Sequence, residues 1–147
     1  MMKENKIELE FVGWREIVSL PKFKLLDLKA KIDTGAKTSS LHADEIEYIT
    51  ERGKKLVRFM FVNEDGKKKY IKAPFIEERA VKSSTGHKSI RPVVRTSIRM
   101  GNTEFEIEVT LINRDLMGFK MLIGREALNG RFLINPARAN LLKNARG

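Results

Sequence analysis

Cysteine is absent from the chain of 147 residues, which excludes a disulfide framework and a thiolate-bound zinc. Histidine is almost absent too: His42 and His87 are the only two, and neither belongs to a His-Glu-x-x-His pattern, the strong signature of a zinc peptidase. His42, Asp44 and Glu45 would need the distant His87 to complete a ligand set. They read better as surface or supporting groups, so no metal and no other cofactor is expected. No apolar run approaches the roughly 18 residues of a membrane-spanning helix, and the opening MMKENKIELE lacks the apolar stretch of a secretory signal. A cytoplasmic protein without membrane attachment is the expectation. Aromatic residues make up 7%, and none falls at the spacing of a base-stacking motif, which argues against nucleic acid as a partner. Carboxylates are in deficit. Lys plus Arg number 29 against 19 for Asp plus Glu, a formal net charge of +10. Such a field draws in anions, whether nucleic acid, acidic headgroups or an acidic peptide.

What is present is short-range alternation. The length suits a single domain over 1–147 with a proper core, and 41% hydrophobic with 33% charged residues suits a folded globular protein. In LLDLKAKID, period two puts Leu26, Leu28, Ala30 and Ile32 on one face and Asp27, Lys29 and Lys31 on the other, a half-buried strand. ADEIEYIT and KKLVRFMFV flank ERG, and the second leads through NEDG into KKKYIKAPF, with Asp65-Gly66 as a turn signal. In VVRTSIRM-GN-TEFEIEVTL, Gly101-Asn102 suits a type II′ turn. Met100 then faces Thr103, Arg99 faces Glu104, Ile98 faces Phe105 and Arg95 faces Glu108, and a one-residue slip would spoil both faces. GREALNG, Gly124 to Gly130, is the best helix signal, and PARANLLKN suits helix, strand or tail. The turn-rich stretch from Val81 to Pro92 marks a mobile loop or hairpin tip. Trp14, the only tryptophan, reads as a core or interface anchor. The pattern predicts a mostly β domain curled into a sandwich or barrel.

One strand ends in a puzzle. KIDTGAKTSS carries a basic residue on every second position of the strand and then stops on Asp33, followed by Thr34, Gly35 and Ala36. An ionised carboxylate is expensive to hold away from water without partners. Asp33 is therefore a solvated turn residue or one held for chemistry. As an isolated tripeptide, Asp-Thr-Gly reads as a plain turn. A second segment, MLIGREALNGRFLINP, shifts the balance.

Together the two segments resemble the retropepsin-like aspartic proteases. In that family a strand delivers Asp-Thr-Gly-Ala, matched by Asp33, Thr34, Gly35 and Ala36. A later apolar pair plus Gly packs beneath that loop, matched by Leu122, Ile123 and Gly124, and Gly124-Arg125 matches the start of the short C-terminal helix. GWREIVSLP, KAKIDTGAKTSSLHA, RPVVRTSI and LIGREAL resemble more closely the bacterial branch once labelled ATP-dependent zinc proteases. The resemblance implies an all-β fold, a small closed β-barrel of retropepsin type with one short C-terminal helix. It also implies Asp33 as the catalytic residue of each subunit of a homodimer, with Thr34 bonding across the two-fold axis. Members are associated with ATP-grasp ligases that add glutamate to proteins, which implies a functional link to such a ligase and acidic or glutamate-extended peptide substrates. Lys37 and Thr38 stand where viral relatives carry acidic residues, which leaves Arg125 without its usual partner and turns a negative site edge positive. The loop from Val81 to Pro92 is the candidate flap, and Lys37, Thr38, His87, Lys88 and Arg91 are the expected substrate-binding residues. Rival readings are a catalytically inactive module of the same fold that holds acidic protein tails, a zinc-dependent peptidase, and a basic nucleic-acid-binding β-domain.

Overall fold

Period-two alternation builds eleven strands in the computed structural model, which describes residues 8–82 and 85–142. Six of them close into a barrel in the order β2 (Arg15–Leu20), β3 (Leu25–Ile32), β10 (Met121–Ile123), β4 (Ser39–His42), β9 (Thr103–Ile112) and β8 (Lys88–Met100). The ring is completed where Ser19 of β2 pairs with Arg99 of β8. Beyond β8 the sheet continues as an antiparallel meander through β7 (Lys68–Lys82), β6 (Lys54–Val62) and β5 (Asp44–Glu51). A separate parallel pair joins β1 (Glu10–Val12) to β11 (Phe132–Ile134). Between β10 and β11 lies one four-residue helix, α1 (Arg125–Leu128), inside the predicted Gly124 to Gly130 segment. The fold is all-β, a closed six-stranded barrel with one short helix.

The β8–β9 hairpin has the register expected from its side chains. Met100 faces Thr103, Arg99 faces Glu104, Ile98 faces Phe105 and Arg95 faces Glu108. Gly101 takes a φ of 63° while Asn102 does not enter positive φ, as a type II′ turn requires. The Arg99–Glu104 ion pair closes at 2.7 Å on the outer face, and Ile98 is fully buried on the inner one. Phe59 and Phe61 of β6 add the largest buried side chains to the core, which also holds Leu20, Leu41, Met100, Leu111 and Met121.

One expectation needs correction. Leu26 is exposed and Leu25 is buried in its place. Asp27 adopts a left-handed φ of 56°, and the β2–β3 ladder shifts register between Val18 and Leu20, so alternation restarts at Leu28. Of the two readings of the 81–92 stretch, the hairpin tip is the one found. Strand pairing runs out to Lys82 opposite Lys88, leaving Thr85, Gly86 and His87 in the tip, while residues 83–84 lie outside the described residues. Asp65-Gly66 does sit in a hairpin turn, closed by the Gly66 N–H to the Asn63 carbonyl at 2.9 Å. Trp14 is partly exposed, edge-on to Phe119 with the Arg15 guanidinium over its ring.

A buried carboxylate that the sequence does not advertise ties the two ends of the described chain together. Glu16 is 1% exposed. Its Oε2 accepts the Gly13 N–H at 2.7 Å and the Leu141 N–H at 2.9 Å, and its Oε1 accepts the Leu142 N–H at 2.9 Å. The Trp14 N–H adds a bond to the Arg138 carbonyl at 2.8 Å. Residues 136–142 form neither helix nor strand and rest on this anchor, and positions 143–144 of the same motif lie outside the described residues. Glu16→Ala leaves three donors short of an acceptor, and each bond to a charged group contributes about 1.5–3 kcal/mol. The expected loss in urea unfolding is at least about 3 kcal/mol, with faster amide exchange at Leu141 and Leu142.

Candidate active site

Asp33 is the first residue beyond β3, and its position follows from the parallel pairing of β3 with β10. Ile32 faces Ile123 in register, and the Asp33 N–H then donates to the Ile123 carbonyl at 2.9 Å. The carboxylate turns back on its own loop: Oδ1 accepts the Gly35 N–H at 3.0 Å, and the Ala36 N–H reaches the Asp33 carbonyl at 3.3 Å. The half-buried Asp33 side chain keeps access to solvent, and Thr34 and Gly35 are exposed.

The return half of the loop is held by the residues around α1. The first N–H groups of a helix have no acceptor within it. Here the Arg125 N–H donates to the Ala36 carbonyl at 2.8 Å and the Glu126 N–H to the Lys37 carbonyl at 3.1 Å. The Gly124 N–H donates to Ser39 Oγ at 3.1 Å. Gly124 passes so close that a Cβ there would lie 2.7 Å from the Thr38 carbonyl carbon. Arg125, expected to lack its usual partner, donates from Nη1 to the Thr34 carbonyl at 2.9 Å. A main-chain acceptor thus replaces the missing carboxylate. Ser40 Oγ and Thr110 Oγ1 are 2.8 Å apart and buried, joining β4 to β9.

Above the loop opens a cavity of about 490 Å³. Asp33, Gly35 and Lys37 bound it on one side, Ile112 and Arg114 after β9 on another, and Arg79, Val81 and Lys82 of the β7 arm on a third. Ala36, Thr38 and Leu122 also line it, so half of the expected site residues converge on one space. Ile123 and Gly124 run below the loop. His87 and Lys88 are exposed at the hairpin tip and do not line the cavity, and neither does Arg91. His42 pairs with Asp44 at 3.7 Å, and among the described residues no three His, Asp or Glu side chains converge as a metal site would require.

Arg79, Arg114, Ser39, Ser40 and Thr110 were not legible as site residues. The two serines lie inside the KAKIDTGAKTSSLHA motif, yet nothing in their spacing points to Thr110. Arg79 spans the cavity wall: it bonds Glu77, reaches Glu108 Oε1 at 3.1 Å, and donates to Thr38 Oγ1 at 3.1 Å. Its pKa is pushed further up, chiefly by the hydrogen bond to Glu77 against an opposing cost of burial. Lys37 lies 3.7 Å from Glu126.

A family model described as retropepsin-like aspartic endopeptidase RimB matches residues 11–144. The chain belongs to the RimB-like family. A crystal structure of a Legionella pneumophila protein described as of unknown function superposes on this RimB-like chain with a TM-score of 0.77 at 30% identity, covering 92% of this chain and 100% of that one. Two curated relatives are named probable alpha-L-glutamate ligase. The Desulfotalea psychrophila protein is 37% identical over 134 residues, 89% of this chain, and the Shewanella pealeana protein is 34% identical over 141 residues, 94% of this chain. The RimB-like chain spans only 29% and 30% of those relatives' lengths.

The close approach at Gly124 is testable without any substrate. In Gly124→Ala the new methyl meets main chain rather than a flexible side chain, so the Asp33 loop must lift. Overpacking of this kind costs about 1–3 kcal/mol. Thermal unfolding should fall accordingly, and NMR shifts should concentrate in residues 33–39.

Proposed function

We propose that the protein is an aspartic peptidase that works as a homodimer, one Asp33 from each copy, on acidic or glutamate-extended peptides. The observation that carries this reading is the Asp33 carboxylate at the floor of an open cavity, on a loop fixed by main-chain bonds to Ile123 and Arg125. Peptide hydrolysis needs a base to activate water and an acid to protonate the leaving nitrogen. Two neighbouring carboxylates meet both needs, because they cannot both ionise at short range and so hold one proton between them. The ionised one takes a proton from water as its oxygen attacks the scissile carbonyl. The protonated one donates to the substrate, and the proton passes on to the departing amine. Their pKa values belong to the pair.

The chain carries a single Asp-Thr-Gly, so the second carboxylate comes from another copy across a two-fold axis. Exposure of Thr34 and Gly35 supports this, since the partner's loop has to reach them. The β7–β8 hairpin is the flap, with Val81 and Lys82 already on the cavity wall, and its closure excludes water from the site. Acidic substrates are supported by Lys37, Lys82 and Arg114 around Asp33 and by the names of the ligase relatives. A peptidase beside an ATP-grasp glutamate ligase would act on the glutamate-extended product.

Asp33→Asn keeps the side-chain volume and removes the carboxylate. Hydrolysis should fall to background with the thermal midpoint retained. Excess variant mixed with wild type should suppress the wild-type rate, because mixed dimers hold one carboxylate. Retained turnover in the pure variant would rule out the aspartic mechanism. Independently, glutamate-rich peptides should be preferred over lysine-rich ones of equal length. That preference should shrink as salt rises, since exposed charges are screened over about 8–10 Å at 0.1–0.15 M. Lys37→Glu should shrink it further, and equal use of the two peptides at low salt would defeat the acidic-substrate reading.

A further inference from the structure

The cations around the Asp33 cavity are not equivalent. Arg79 is neutralised by Glu77 and Glu108, and Lys37 has Glu126 nearby. Arg91 and Arg114 have no such partner: among the described residues no carboxylate reaches either one. Strand register places Arg91 on the cavity-bearing face of the sheet, and Arg114 lines the cavity itself. Arg91 of β8 lies directly opposite Arg79 of β7, and Val93 lies opposite Thr110 of β9. Directly opposed residues in antiparallel strands share a face, and alternate residues along a strand do too. Arg91 therefore stands on the sheet face that carries Arg79, Thr110 and Ile112, all of which line the cavity. Arg114, two residues past Ile112, lines it as well. Arg91 is half-buried and fixed by its Nε bond to Ser89 Oγ at 3.0 Å.

We infer that Arg91 and Arg114 form a carboxylate-binding subsite at the flap side of the Asp33 cavity, which anchors the peptide by an anionic group away from the scissile bond. The inference rests on the acidic-substrate reading of the same cavity and assigns that specificity to a residue, Arg114, that no motif marks. Two guanidiniums held near each other without a counter-ion are destabilised by their own repulsion. Burial first, and then the Arg114 charge, pull the Arg91 guanidinium below its ordinary pKa. A carboxylate between them relieves that repulsion and accepts charge-assisted hydrogen bonds, for which the planar guanidinium is well shaped. The carboxylate is either a glutamate side chain or the chain-terminal group of the peptide.

Binding to the Asp33→Asn protein, which keeps the cavity and removes turnover, tests the subsite. The probes are fluorescein-labelled oligoglutamate and oligoglutamine of equal length, each with a free and an amidated C-terminus. Arg114→Gln in that background should weaken oligoglutamate about tenfold, the scale of one lost charge-assisted hydrogen bond at a half-exposed site, and leave amidated oligoglutamine unchanged. Arg91→Gln should do the same, and Arg114→Lys should lose less. Arg114 dependence that survives amidation assigns a side-chain carboxylate. Dependence lost on amidation, and present for free-acid oligoglutamine, assigns the terminal one. If Arg114→Gln and Arg91→Gln leave oligoglutamate binding unchanged, or weaken it and amidated oligoglutamine equally, the subsite is overturned. Wild-type hydrolysis of oligoglutamate is scored separately. A binding difference without hydrolysis overturns the peptidase reading and keeps the subsite, whereas hydrolysis without the difference does the reverse.

Discussion

The interlock between the Asp33 loop and the Ile123–Glu126 segment is the constraint on which the site depends. Neither piece satisfies its own backbone. The loop leaves carbonyls at Ala36 and Lys37 that accept the N–H groups of Arg125 and Glu126 at the start of α1, and its Thr34 carbonyl accepts from the Arg125 side chain. A four-residue helix is far too short to be stable alone, so α1 exists because the loop caps it. Buried polar groups demand partners, and here that demand sets the height and tilt of a carboxylate. Gly124 permits the approach because any side chain would strike Thr38.

Charge around the cavity is divided by compensation. Elsewhere on the surface, pairs such as Lys72–Glu51 and Arg58–Glu47 join exposed side chains and contribute little to stability. At the cavity wall the Arg79–Glu108 pair is less exposed, and Arg79 links the β7 arm to β9 and to the Thr38 side of the loop. It is a structural brace as much as a source of potential. The basic balance of the composition therefore overstates the free positive charge at the site, because part of it is already spent on internal carboxylates.

Legibility in the sequence followed the range of the interactions. The β8–β9 hairpin could be read to the residue, since a two-residue turn and two complementary faces are local facts. Asp33 became legible through its pairing with Leu122, Ile123 and Gly124, a long-range relation that motif resemblance supplies and periodicity does not. Leu26 was misplaced because one left-handed residue, Asp27, resets alternation, and an Asp between two apolar positions gives no warning of it. Glu16 was unreadable for a different reason: its acceptors face amides of Leu141 and Leu142, and no sequence pattern marks a carboxylate that binds backbone. The convergence of Arg79 and Arg114 on one cavity depends on how the β7–β8 arm lies against the end of β9, which is a property of the closed sheet.

The order in which the chain leaves the ribosome gives the interlock a temporal meaning. Asp33 emerges well before its partners: the acceptor of its N–H at Ile123 and the Arg125 side chain that holds Thr34 lie about ninety positions later. β10 also has to insert between β3 and β4, so the barrel cannot close before that segment is available. Contacts so distant along the chain form late, after the entropy of closing the intervening loop has been met. A nascent chain thus carries its Asp-Thr-Gly as an unsupported turn until β10 and α1 follow, and the shaped site arises only when nearly all of the barrel has been made.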